Sequence, residues 1–569
     1  MRESFHRRGL FPAAAAVLTG LALVSTGCTG PGPSGPRVPD AVPSAGRNVQ
    51  AAPPSSHGAP PSSAGAPPAK PRPLGWGPDQ HDADAAAKAV GAMSLEQKAG
   101  QVLLPFFAGR DYEAHARTIE RLHLAGTIIM GDNVPATPDG RVDTAAMQGA
   151  TKRLQQAAGA DGRDWPGMIG VDQEGGVVAR LRSPLTEWPA PMSYGAAGSE
   201  PLAADAGRAL SAELAGLGFN VNFAPTADVT MGPADPTIGA RSISGSAGAA
   251  AEFGIAFSKG MLGAGILPAT KHFPGHGSVT VDSHKGLPEQ DASLKQLRAK
   301  DLLPFQAAID AGLPMIMTGH IAVRAFQPGV PASVSKASYA ELRRMGFKGV
   351  AVTDALNMGA IQRQFPRDTA APLALAAGAD LLLMPASVET AHAAIVRAVR
   401  TGALPAARLD EAARRVVTMQ LWRGRSHPPR GTAPGSGSAL SEKVSQEAIT
   451  VLAGPCRGRI VPARVRVSGG SAQDRARFAV AAKQAGIGIG AGPLVSLIGY
   501  GGAPATADVA VSLDAPWPLA KSRARAKIAL YGRSQEAFDA LLAVLAGKAP
   551  ARGKLPVAVG SQGPGSGCR

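Results

Sequence analysis

Between Lys271 and Pro288 the chain reads KHFPGHGSVTVDSHKGLP, which gathers Lys271, His272, His276, Asp282 and His284 into one short window. Pro274 and Gly275, with Gly277, Gly286 and Pro288 after them, rule out a single helix across it. The expected form is a strand end, Ala269 to Phe273, opening into a long loop. Two groups on that loop can move a proton. A carboxylate at Asp282 that accepts from one imidazole nitrogen of His284 fixes the tautomer and leaves the other nitrogen free. Further on, Asp354 follows the apolar run Gly349 to Thr353. A carboxylate held at a strand tip is rigid enough to act as a nucleophile, the plainer alternative being a helix N-cap.

Other apolar runs end in the same way. Asp172 closes GMIGVD, Asp228 closes NFAPTAD and His320 closes MIMTGH. Arg180, in DQEGGVVAR, and Arg241, in IGARS, lie close behind two of these ends, and with Asp172, Lys271 and His272 they suit the binding of a polar, hydroxyl-bearing ligand. For the two arginines a salt bridge serves equally well. Glu174 reads as a supporting acid. Three patterns carry less. His272 and His276 have zinc-helix spacing, but Phe-Pro-Gly between them breaks the helix, although a metal set of His272, His276, Asp282 and His284 stays open. Ser333-Val334-Ser335-Lys336 matches S-x-x-K without the partner motifs that give it meaning. Met130, Met315, Met317, Met358 and Met384 read as core.

The elements that must position these groups follow from the alternation of the chain. Apolar runs at Val102–Phe107, Gly126–Met130, Met168–Asp172, Val221–Asp228, Pro268–Phe273, Pro314–His320, Gly349–Asp354 and Asp380–Met384 are separated by segments of helical length. Among the latter are Leu202–Leu217, Ala247–Leu262, Leu294–Ala311, Val388–Val399 and Leu409–Leu421. Eight strands alternating with helices predict an α/β fold, a (β/α)8 TIM-type barrel over residues 85–423, with catalytic groups at the C-terminal strand ends. An open doubly wound sheet is the alternative, but no G-x-G-x-x-G follows an early strand. Residues 424–440 read as a linker. Residues 441–569 read as a second, smaller α/β domain, with a helix at Glu442–Thr450, strands at Val495–Ile498, Val509–Leu513 and Lys527–Tyr531, and a helix at Gln535–Leu545.

The segment KHFPGHG followed by DSH resembles the signature of glycoside hydrolase family 3 in its β-N-acetylhexosaminidase branch. The resemblance covers Ala85 to Trp422 and, more weakly, the end of the chain, where Gly553-Lys554-Leu555-Pro556-Val557 is similar to the close of two-domain members. It implies a retaining exo-β-N-acetylglucosaminidase acting on cell-wall or chitin-derived glycans, with no cofactor and no metal. Asp354 would be the nucleophile, and His284, oriented by Asp282, the acid/base. Asp172, Arg180, Arg241, Lys271 and His272 would bind the sugar. The rival readings are a family 3 β-glucosidase or xylosidase, which would take a glutamate acid/base from a later domain, and a wall-glycan-binding lipoprotein without activity.

The chain has 569 residues, 45% hydrophobic, and a formal charge of +16. Its basic residues are scattered without a Lys/Arg run or interleaved aromatics, so no nucleic-acid partner is expected, and the charge suits an exported protein among anionic wall polymers. Arg2, Arg7 and Arg8, the apolar run Gly9–Val24 and Ser25-Thr26-Gly27-Cys28 read as a signal peptide over residues 1–28. The end of that signal resembles a lipoprotein box, so a membrane anchor at Cys28 is expected; a plain secretory signal is the alternative. Residues 29–80, rich in Pro, Gly, Ala and Ser, read as a disordered spacer. Cys456 and Cys568 are then left as a possible disulfide.

Overall fold

The computed structural model describes residues 71–425, 431–503 and 506–568. All eight apolar runs form strands: β1 Leu103–Leu104, β2 Gly126–Ile129, β3 Met168–Val171, β4 Val221–Asn222, β5 Leu267–Phe273, β6 Met315–Thr318, β7 Val350–Thr353 and β8 Leu382–Leu383. β2 to β7 pair consecutively and in parallel. Val352 of β7 bridges Leu381, and β8 pairs in parallel with β1, Leu103 opposite Leu382. The Ile128 N–H donates to Pro105 O at 3.0 Å, joining the end of β1 to β2 and closing the ring. Every residue of these strands is buried. Strands buried on both faces need continuous apolar sequence, which is why the runs show no alternation.

The barrel helices are α1 Tyr112–Leu122, α2 Thr144–Ala158, α3 Glu200–Gly216, α4 Ala247–Gly263, α5 Leu303–Asp310, α6 Lys336–Arg344, α7 Ala370–Ala377 and α8 Val388–Arg400. The stretch Leu294–Ala311, expected as one helix, is two, Leu294–Ala299 and α5. Pro304 is accommodated in the first turn of α5, where its missing N–H costs nothing. Between the two helices buried Asp301 accepts from Ser278 Oγ at 2.5 Å and so anchors the loop that follows β5.

The expected spacer runs to residue 80, but its described part is folded. The Gln80 N–H donates to Arg72 O at 2.9 Å. Trp76, 5% exposed, joins the cluster formed by Ala125, Met168, Leu267, Met315 and Val350 at the N-terminal ends of the strands. A single buried indole supplies the apolar area that the surrounding composition lacks.

After the helix Ala406–Arg425, α9 Ser438–Ala448 begins inside the stretch expected to be a linker. Five strands follow: β9 Thr450–Ala453, β10 Arg464–Gly469, β11 Gly488–Ile498, β12 Val509–Ser512 and β13 Ala526–Ala529. Their order is β9–β13–β12–β11–β10, with β9–β13 antiparallel and the other pairs parallel. α10 Ala472–Ala485 and α11 Gln535–Leu545 pack Phe478, Phe538 and Leu541 into the core of this sheet. Cys456 and Cys568 form a disulfide that ties the end of the chain back to the region after β9. Among the described residues no helix is long and apolar enough to cross a membrane.

Candidate active site

The C-terminal ends of β3, β4 and β5 build a charged wall. Asp172 follows β3, and a short hairpin, Gln173–Gly175 with Val178–Ala179, places Glu174 below it. The Glu174 carboxylate is fully buried. It accepts from Arg241 Nε and Nη2 at 2.9 Å each, and Lys271 Nζ lies 2.7 Å away. Burial alone would push the Glu174 pKa up, but Arg241 and Lys271 outweigh it and hold the carboxyl well below its ordinary range. Lys271 Nζ also donates to Asp172 Oδ1 at 2.9 Å, and Arg180 Nη2 stands 3.5 Å from Asp172 Oδ2. Burial works against the Lys271 ammonium, but Asp172 and Glu174 overcome it and raise its pKa. Glu174 is thus the supporting acid expected of it, fixing two cations so that their remaining N–H groups face the cavity.

Asp228, completely buried beyond β4, organises the histidines. Its Oδ1 accepts from the backbone N–H of His272 at 3.2 Å and of His276 at 2.6 Å, and its Oδ2 lies 2.7 Å from His272 Nδ1. With Nδ1 engaged there, His272 turns Nε2 toward Arg241 Nη2, 3.5 Å away. His276 places Nε2 2.9 Å from Ser283 Oγ, and burial lowers its pKa to about 4, so it is a neutral prop under the loop.

Asp354 stands at the tip of β7. Its backbone N–H donates to Thr318 O at 2.9 Å, and its Oδ1 accepts from the Ala355 N–H at 2.8 Å. Burial would raise its pKa; His320, His272, the Ala355 N–H and Lys271 together bring it down to about 2. The carboxylate is therefore ionised at any physiological pH. His320 lies 2.8 Å from Ala355 O through Nε2 and 2.7 Å from Ser333 Oγ through Nδ1. A carbonyl can only accept, so Nε2 carries the hydrogen and Ser333 serves Nδ1.

His284 is the exposed member. Its ring is 63% exposed, with Nδ1 2.7 Å from Asp282 Oδ1, and the same oxygen accepts from its backbone N–H at 3.0 Å. The Asp282 pKa is lowered, the His284 hydrogen bonds outweighing burial. Two ties fix the loop. Ser283 Oγ rests on His276, and Ser283 O accepts from the Ala360 N–H at 3.2 Å.

One cavity of about 290 Å³ unites these groups. Asp172, Arg180, Arg241, Lys271, His272, His284 and Asp354 all line it, and Asp282 holds His284 from behind. The sequence reading missed part of the wall. Met130, Met317, Met358 and Met384, read as core, line the cavity with Leu383, whereas Met315 is buried in the cluster beneath. Thr237, Ile238 and Asn357 also line it, and no pattern in the sequence marked them. The charged side chains thus gather along β3 to β5, and the methionines and Leu383 stand on the side of β2 and β6 to β8, around Asp354 and Asn357. Of the open metal set, His272 turns Nδ1 to Asp228, His276 turns Nε2 to Ser283, and His284 turns Nδ1 to Asp282, the fourth member. The S-x-x-K serines are structural, Ser333 serving His320 and Ser335 capping α6.

The profile of the glycosyl hydrolase family 3 N-terminal domain matches residues 94–419. Beta-hexosaminidase A of Pseudoalteromonas piscicida is 38% identical over 289 residues, 48% of this chain and 47% of that protein, so the chain spans about half of that relative. Beta-hexosaminidase LpqI of Mycobacterium tuberculosis is 31% identical over 361 residues, 61% of this chain and 85% of that protein. Among solved structures, a glycoside hydrolase family 3 beta-N-acetylglucosaminidase from Paenibacillus superposes with a TM-score of 0.74 at 27% identity, covering 83% of this chain and all of that one.

Proposed function

As the chain belongs to glycoside hydrolase family 3, we propose that it is a retaining exo-β-N-acetylglucosaminidase that removes terminal N-acetylglucosamine from cell-wall or chitin-derived glycans. The observation that carries the reading is the shared cavity. An ionised carboxylate at a barrel rim and an imidazole paired with Asp282 both line a space suited to one sugar residue. Relatives named as beta-hexosaminidases support the sugar.

In the first step Asp354 attacks the anomeric carbon as the glycosidic C–O bond breaks. The His284 imidazolium gives its Nε2 proton to the departing oxygen while Asp282 holds Nδ1. Water then attacks the glycosyl-enzyme and surrenders a proton to His284 Nε2, and the Asp354 carboxylate is released with the β-configuration of the sugar restored. Lys271, Arg180, Arg241, Asp172 and His272 take the hydroxyls at the far end of the ring. Ionised partners there outcompete water and hold the anomeric carbon at Asp354.

The leader and Cys28 lie outside the described residues, and export with lipidation at Cys28 is part of this proposal. Incorporation of labelled fatty acid that persists in Cys28→Ala would overturn that part. The activity itself is tested with matched aryl N-acetyl-β-glucosaminide and β-glucoside. Strong preference for the former with initial release of the β-anomer supports the reading, and preference for the glucoside or absence of turnover sinks it.

A further inference from the structure

Residues 235–245 supply three cavity-lining side chains, Thr237, Ile238 and Arg241, yet they contain only one short turn of helix, Gly239–Arg241. Inside the barrel the Asp235 carboxylate shapes the segment, accepting from the N–H groups of Thr237 at 3.1 Å, Ile238 at 2.8 Å and Gly239 at 3.2 Å. From outside it is held by the second domain at two points. Tyr500, just past β11, lies so close to Gly239 that a methyl group there would stand 2.6 Å from its hydroxyl oxygen. That hydroxyl is 3.4 Å from Asp235 O. At the other end Pro556 O accepts from the Gly245 N–H at 3.1 Å and from Ser244 Oγ at 2.8 Å.

The second point is itself anchored. Leu555 exchanges hydrogen bonds with the turn that leads to Cys568, its N–H donating to Ser566 O at 2.7 Å and its carbonyl accepting from the Gly565 N–H at 2.8 Å. The Lys554 N–H donates to Ala196 O at 2.9 Å, and Cys568 is bonded to Cys456. Toward the site, Ser242 Oγ donates to Asp228 O at 2.7 Å, and Thr226 Oγ1 donates to Arg241 O. Contacts therefore run from the disulfide-bonded tail to the backbone of Asp228, the residue whose carboxylate orients His272.

We infer that the second domain is a positioning brace for the sugar pocket: Tyr500 and the Leu555–Val557 turn hold residues 235–245 so that Arg241, Thr237 and Ile238 face the ring. The inference rests on reading the cavity as a sugar site, and Tyr500 is a positioning residue that need not touch the substrate. A segment with so little regular structure has few internal bonds to keep it in one arrangement. Arg241 gains its grip only if that arrangement exists before binding.

The test uses the whole chain. Tyr500→Ala and Ser244→Ala each raise KM for an aryl N-acetylglucosaminide, and the double variant raises it about tenfold or more, with kcat changed less than about threefold. Tyr500→Phe keeps the ring on Gly239 and returns KM close to the parent value. Hydrogen exchange across residues 235–245 quickens in Tyr500→Ala while that of β6 stays unchanged, a readout independent of any substrate. An unchanged KM and unchanged exchange in the double variant overturn the brace, as does parallel loss of kcat, KM and melting temperature. If the parent chain hydrolyses no N-acetylglucosaminide, the functional reading falls while the exchange measurement still decides the brace.

Discussion

The carbonyl of Ser283 accepts a hydrogen bond from the N–H of Ala360 at 3.2 Å, so the loop bearing His284 hangs from the segment that follows Asp354. The proposed acid/base and the proposed nucleophile are thereby referred to one stretch of backbone rather than to two independent loops. His276 adds a second tie through Ser283 Oγ. With Gly359 the loop fits closely, since a methyl there would stand 2.6 Å from His284 O.

Replacing Asp354 by Ala should reduce turnover by at least about 10³-fold while leaving the melting temperature near that of the parent. Azide should restore cleavage of an activated aryl glycoside and yield the α-azide, the opposite anomer to the normal product. Undiminished turnover would remove Asp354 from the chemistry.

His284→Ala should cost about 10²-fold or more on a substrate with a poor leaving group and much less on a dinitrophenyl glycoside, which needs no proton to depart. Equal losses on both would make His284 a positional residue.

Asp282→Asn keeps the shape of the pair but removes the charge that stabilises the imidazolium. It should lower kcat by about 10- to 10²-fold for poor leaving groups and shift the alkaline limb of the pH–rate profile, where the general acid loses its proton. A profile identical to that of the parent would break the link between Asp282 and proton transfer.

Four histidines, His115, His276, His320 and His392, have pKa values lowered by burial, to about 4 for His115 and His276. The unfolded chain takes up these protons near pH 6.5 and the folded chain only at lower pH, so stability falls as pH drops between those limits. For His276 the loss is on the order of 3 kcal/mol. Asp354 works at lower pH still: its contribution is complete above its unfolded pKa and is lost only as pH approaches 2. Thermal melting from pH 7 to 4 should show a steady decline, less steep in His276→Gln; a flat profile would contradict the buried neutral state.

The Cys456–Cys568 bond spans 112 residues, and in the chain-entropy account removing it costs about 5 kcal/mol. Cys456→Ala/Cys568→Ala, or the reduced protein, should melt at a lower temperature. An unchanged melting temperature would show that the tail is held by its other bonds alone.

Much of the site was legible because barrel strands announce themselves twice, by an apolar run and by the ionisable group that ends it. Asp172, Asp228, Lys271, His272, His320 and Asp354 all follow that rule. The methionines escaped because a flexible apolar side chain looks the same in a core as on a cavity wall, and only the ring order of the strands puts Met130, Met358 and Met384 on one side. Trp76 was hidden by the Pro, Gly and Ala around it. In the second domain β9, β10 and α10 have short or weakly patterned apolar sets that gave no clear period. The contact of Tyr500 with Gly239 depends on how residues far apart in the chain pack together, and no local pattern encodes it.

Trp76 and the ring of apolar residues above it seal the lower end of the barrel. On the proposed function, a hexosamine freed above that packed floor would depart through the opening by which the glycan came in. Departure and arrival therefore compete for one doorway, and accumulated free sugar should slow the enzyme simply by standing in it.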